Sequence, residues 1–295
     1  MARITREISV FIVIVFLLSL IPEAIMLFSS KGFMAADFSG VTLLMWCPAL
    51  AAFITAALFK IDIATFGWGW RPVKYEWLGY VLPFLYALPV YVLAWLLFKN
   101  SFAYDEFAKG KAALWGFVGW PNLTTWLISF PGMATIGVIG VVGSALGEEI
   151  GWRGFLLPRL TTRFGFTVGC LVSGIVWAVW HYPAIIQGGY GAGTPKSYEL
   201  FCFTAMVVAS AFVLGWLRLK SQSLWPCVML HAAHNKFIQD IFEPMTAPKG
   251  PVLYLTTEFG IGLAVTTAIA AIWFWSRRNE LPGSGGAVGN EGFHI

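Results

Sequence analysis

Long apolar runs, each closed by a short charged or Gly/Pro-rich link, recur along the whole chain. They cover about residues 8–28, 41–59, 77–98, 131–157, 166–186, 199–219, 224–241 and 252–275. Each run has roughly the ~20 residues that an α-helix needs to cross ~30 Å of hydrocarbon. The pattern predicts an all-α polytopic membrane protein, a bundle of about eight transmembrane helices. One integral-membrane domain is expected over residues 1–280, followed by a flexible Gly-rich tail over 281–295. The first run, preceded by Arg3 and Arg6, imitates a signal peptide. No small-residue cleavage site follows it, so it reads as an uncleaved first helix. Pro158 is expected to stop the fourth helix, and Gly188 to Gly193 to form a mobile loop. No internal repeat or second domain is visible.

Composition supports this class. Hydrophobic residues make up 58% of the chain and charged residues 12%, against ~25% charged in ordinary soluble domains. Fifteen Trp and nine Tyr suit the headgroup belts on either side of a bilayer. The expected surroundings are therefore lipid. A net charge of +4 is too small to argue for a nucleic-acid partner. Cys47, Cys170, Cys202 and Cys227 all lie in apolar runs without a CxxC pair, which predicts buried free thiols.

Charge then orients the bundle. Eight crossings put both termini on one side, with Arg3, Arg6, Lys60, Arg71, Lys74, Arg159, Arg163, Arg218, Lys220, Arg277 and Arg278. The opposite side holds only lysines: Lys31, Lys99, Lys109, Lys111, Lys196 and Lys249. Short loops rich in Arg and Lys mark the cytoplasmic face. Both termini are expected in the cytoplasm, with the chain in the plasma membrane of a prokaryote.

Polar residues inside the apolar runs are the candidates for chemistry, because a charge at the centre of a bilayer costs at least ~2.5–3.5 kcal/mol on an insertion scale. Glu148 and Glu149 are adjacent, and Glu149 and Arg153 are spaced i,i+4 with the acid first, the favourable order for an ion pair. Glu148 points ~100° away from Glu149 around the helix and stays available for chemistry. His181 comes from the fifth run; His231 and Asn235 share one helical face of the seventh. Together they could surround one intramembrane polar cavity, with Glu148 and His181 activating a water while His231 and Asn235 donate to a developing oxyanion.

The three motifs, Glu148-Glu149-x-x-x-Arg153, Trp177-x-x-x-His181 and His231-x-x-x-Asn235, occur in order and resemble those of the CPBP family of CAAX prenyl endopeptidases and abortive-infection proteins. The resemblance covers about residues 130–245. It implies an eight-helix core and an intramembrane endopeptidase that hydrolyses membrane-associated peptides or proteins with a glutamate-activated water. By position, Glu148 matches the catalytic glutamate and His181 its partner, while His231 and Asn235 match the oxyanion-side pair. Glu149 and Arg153 are supporting residues. Trp177 stands where the family more often has Phe, a departure expected to affect packing rather than chemistry. His234 lies outside the pattern and reads as a helix-packing histidine.

Such enzymes have been described both as glutamic proteases and as metalloproteases. Glu148, His181 and His231 could supply the three ligands of a zinc site. The reading adopted is metal-independent, with no cofactor, because Asn235 beside His231 suits hydrogen bonding better than ligation. Water is expected to enter from the cytoplasmic side. Two other readings stay open: a transporter or channel that uses the Glu/His cluster as a proton or ion site, and a non-catalytic membrane scaffold. Glu23, Lys236, Asp240 and Glu243 read as span-end residues.

Overall fold

A computed structural model describes residues 1–28, 38–70, 72–187 and 189–282. The expected tail beyond Pro282, together with Lys31, Arg71 and Gly188, lies outside the described residues. The architecture is all-α, with no strand among the described residues. Among the described residues eleven α-helices follow one another: α1 Ala2–Phe28, α2 Phe38–Phe59, α3 Val73–Leu97, α4 Tyr104–Trp115, α5 Asn122–Gly132, α6 Val138–Glu149, α7 Leu157–Ile186, α8 Lys196–Ser221, α9 Trp225–Asn235, α10 Val252–Leu255 and α11 Ile261–Ser276. Three π-helical stretches among the described residues extend them without a break: Met133–Gly137, Ile150–Leu156 and Lys236–Phe242. Five helical runs among the described residues are long and apolar enough to cross a membrane, one of them spanning residues 122–186.

Two of the expected boundaries move. The fourth helix does not stop at Pro158, which lies instead in the first turn of α7. Proline has no N–H to give an i→i−4 bond, and the wide turn Ile150–Leu156 delivers the chain into a new helical start, with Leu157 N–H bonding to the Trp152 carbonyl. The break comes later, at Gly165 (φ 79°, ψ 169°), a conformation a side chain would strain. The eighth expected span is also interrupted. Residues 256–260 leave the helix between α10 and α11, with Thr257 at φ 66°, and this interruption carries Glu258.

In lipid, helices associate through close contact of small residues rather than by expelling water. Gly147 and Gly151, four apart, lay the turn that bears Glu148 directly on α2. A Cβ at Gly147 would stand 2.7 Å from the Met45 carbonyl oxygen, and one at Gly151 2.4 Å from Pro48 Cβ. Gly174 does the same for α7 against Val208 of α8, and Gly79 for α3 against the Pro226 carbonyl of α9. Glu148 is thus held by backbone-to-backbone packing on a rigid element. The four cysteines are buried and free.

Hydrogen bonds define two ends of the bundle. At one, Arg3 reaches the Phe59 carbonyl, Arg159 and Arg3 both bond Glu7, Arg218 bonds the carbonyls of Arg153 and Thr65, and Trp216 bonds the Arg277 carbonyl. At the other, Ala103 N–H bonds Met245, Ala247 N–H bonds Ser101, Tyr198 bonds the Tyr254 carbonyl, and Thr257 N–H bonds the Tyr91 hydroxyl. The first is the arginine end; the second, among the described residues, has lysines as its basic residues.

Candidate active site

The two adjacent carboxylates of α6 are separated as their helical positions predict. Glu149, fully buried, bonds Arg153 at 2.9 Å. The same oxygen accepts His231 Nδ1 at 2.9 Å, a contact between residues far apart in sequence. The second Glu149 oxygen has no hydrogen-bond partner, nor do Nε and one terminal nitrogen of Arg153. The guanidinium lies instead over the Trp177 ring, 4.0 Å from its centre. A cation on an indole face recovers part of the lost hydration. Glu149 therefore has a structural post with a second duty: it fixes Nδ1 of His231 as a donor and leaves Nε2 for the cavity.

Glu148 turns the other way. One of its oxygens accepts Trp177 Nε1 at 2.7 Å and Trp152 Nε1 at 3.3 Å. Trp177 was expected to matter for packing alone; its indole N–H in fact binds the carboxylate directly. A phenylalanine there could not, since only the indole carries a donor. His181, one turn beyond Trp177 on α7, gives Nδ1 to the Trp177 carbonyl at 2.9 Å, which leaves Nε2 bare. Its ring is boxed by Trp180 at 4.7 Å and Phe203 at 5.1 Å between ring centres. Among the described residues no direct hydrogen bond joins Glu148 to His181.

Both residues face one cavity of about 280 Å³, which His231 and Asn235 also line. The space is well above the ~30 Å³ that a water occupies in the liquid. All four predicted site residues are thus brought to one cavity, from α6, α7 and α9. The side chain of Asn235, the last residue of α9, makes no hydrogen bond to the protein among the described residues, so its carboxamide can meet a ligand. The metal donors converge less well. Glu148 is turned to two indoles and His231 to Glu149, and among the described residues no three His, Cys, Asp or Glu side chains gather closely enough to hold an ion.

The sequence reading missed the far wall. His234, about 100° around the helix from Asn235, is more than a packing residue: it lines the cavity and bonds Glu258 through Nε2 at 2.7 Å and Tyr86 through Nδ1 at 2.5 Å. Glu258 also accepts the Tyr190 hydroxyl and, at 3.2 Å, Gln239. Burial and then the charge of Glu258 push the Tyr190 phenol well above its ordinary pKa, so it remains a donor. Glu258 sits in the helix interruption, and no motif or spacing could have paired it with His234.

Comparison with known proteins bears on this core. Residues 130–237 match the family model described as Type II CAAX prenyl endopeptidase Rce1-like. The match holds both carboxylates, Arg153, Trp177, His181, His231 and Asn235. Over that segment the chain is similar to this family. A curated relative, CAAX prenyl protease 2 of Methanococcus maripaludis, is 27% identical over 102 residues, which cover 31% of this chain and 35% of the relative. The chain thus aligns with about a third of the relative's length. The matched segment contains α6 to α9, and the lining from Tyr190 falls within it while Gln239 and Glu258 lie beyond.

Proposed function

We propose that the chain is an intramembrane endopeptidase in which Glu148 acts as general base. The free oxygen of Glu148 and Nε2 of His181 share the cavity, and a water between them can lose its proton to the carboxylate as its oxygen attacks a peptide carbonyl. The attack forms one C–O bond and moves the carbonyl electron pair onto oxygen. The Asn235 amide and the Nε2 side of His231, which donates when protonated, lie across the cavity to receive that oxyanion. Collapse breaks the C–N bond, and the proton held by Glu148 passes to the departing amine. Donors fixed in advance on developing charge are commonly the largest catalytic contribution.

Glu149 and Arg153 are positioning residues, since they act through His231 and Trp177. The reaction is read as metal-independent, with zinc as the alternative if the same three side chains swing together. The substrate is a peptide or a membrane protein. One observation carries the reading: Glu148, His181, His231 and Asn235, all within the segment that matches a protease family, line a single cavity.

The test is cleavage of a quenched fluorogenic peptide by purified protein in detergent, with and without a strong chelator. Wild type should cleave in both conditions, and Glu148→Ala and His181→Ala in neither. Loss with the chelator would make the enzyme a metalloprotease, and unimpaired cleavage by folded Glu148→Ala would end the proposal.

A further inference from the structure

We propose that the arginine end of the bundle holds a binding site for a phosphate group, carried by an anionic lipid headgroup or by free phosphate. The site stands apart from the protease reading. A cavity of about 870 Å³ lies at that end and shares no lining residue with the cavity of Glu148. Its size falls within the ~300–1,000 Å³ of small-ligand sites. Three guanidiniums line it, those of Arg159, Arg218 and Arg278, against one carboxylate, Glu7. Glu7 is already divided between Arg3 and Arg159, each at 3.0 Å. Glu280, two residues from Arg278, is taken by Arg277 at 2.6 Å. The cavity keeps an excess of positive charge.

Arg218 decides what that charge is for. Only 4% of it is exposed, and among the described residues it pairs with no carboxylate. Its Nε bonds the Arg153 carbonyl at 3.1 Å, and Nη2 bonds the Thr65 carbonyl at 3.3 Å. Nη1 has no hydrogen-bond partner among the described residues. A cation held out of water without a counter-ion is costly, and an anion in the cavity supplies one. The backbone offers a second, independent feature. Gly165 (φ 79°, ψ 169°) breaks α7, so a new helix starts at Phe166, and Gly165, Phe166 and Thr167 line the same cavity. The first N–H groups of a helix have no partner within it, and the helix dipole places partial positive charge there. Guanidiniums meet phosphate through paired N–H donors, and basic pockets between transmembrane helices take anionic headgroups. Ile4, Phe166 and Leu219 add apolar wall beside the guanidiniums, which suits the glycerol and acyl part of a lipid.

The experiment uses the full chain, purified in detergent and freed of co-purified lipid. Tm is recorded against inorganic phosphate, short-chain phosphatidylglycerol and short-chain phosphatidylcholine at constant ionic strength. Wild type is compared with Arg218→Gln, Arg278→Gln and the lysine-end control Lys249→Gln. A saturable rise in Tm with phosphatidylglycerol, with inorganic phosphate or with both is the expected result. Half-saturation should need roughly tenfold more ligand in Arg278→Gln, the effect of losing one hydrogen bond to a charged group, while Lys249→Gln matches wild type. A response to phosphatidylglycerol alone assigns the phosphate to a headgroup, and a response to inorganic phosphate assigns it to the free ion. Arg278 is half-buried, so its variant carries the test even where Arg218→Gln fails to fold. No rise with either anion, an equal rise with phosphatidylcholine, or unchanged half-saturation in Arg278→Gln would overturn the proposal.

Discussion

His231 and His234 stand three residues apart on α9, and each leans on a buried carboxylate, yet the two pairs are built differently. His231 meets Glu149, whose charge is already matched by Arg153 on the same helix. His234 meets Glu258, which pairs with no Lys or Arg among the described residues: its other donors are the neutral Tyr190 and Gln239. The first pair fixes a ring nitrogen for chemistry. The second ties three distant segments, α3 through Tyr86, the connection after α7 through Tyr190 and the interruption before α11, around the far wall of the cavity. One histidine is set for reaction and the other for assembly.

The comparison is broken most severely at the first pair. Arg153→Ala leaves Glu149 buried without its cation, and removing one partner of a buried pair costs about 3–5 kcal/mol. Thermal unfolding in detergent should show a large fall in Tm, or failure to fold. At Trp177 the expected effect is smaller and falls on rate. Trp177→Phe removes the donor to Glu148, and a hydrogen bond to a charged group is worth about 1.5–3 kcal/mol. Peptide cleavage should drop by roughly tenfold or more, while the protein stays folded. Unchanged turnover would show that Trp177 only packs.

The second pair should respond through stability. Glu258→Gln keeps the shape but weakens the bonds to His234 and Tyr190, by about 1–3 kcal/mol, read as a modest loss of Tm. The smallest effect lies at Glu243, just past the end of the π-helical stretch after α9. Burial, then the charges of Glu258 and Asp240, raise its pKa to about 8. A carboxyl that is more basic when folded than when unfolded binds a proton preferentially in the native state, so stability falls as pH rises from the ordinary carboxylate range through about 8. Glu243→Gln should leave Tm unchanged at acidic pH and raise it slightly above pH 8. In a Glu258→Gln background that gain should shrink, because one cause of the shift has gone.

What could be read from the sequence follows the range of the interactions. Apolar runs located the helices because bilayer thickness imposes a length on each. The Glu149–Arg153 bond was legible because i,i+4 spacing is a property of one helix. The four cavity residues were legible as motifs, and their shared cavity as an expectation. Three features were not. Pro158 continues into a helix because a π-helical turn precedes it, and that turn depends on packing against α2. The duty of Trp177 depends on the direction in which Glu148 leaves its helix. Glu258 is joined to His234 from a helix interruption that hydropathy reads as one continuous span.

The measurement that tests the central claim most directly is turnover of the quenched peptide by purified Glu148→Gln, with Tm recorded on the same sample. The substitution keeps an acceptor for the Trp177 indole and removes the base. With the fold retained, cleavage should fall by about 10²–10⁴-fold, the usual loss when a general base is removed. A Glu148→Gln protein with wild-type Tm and wild-type turnover would contradict the account.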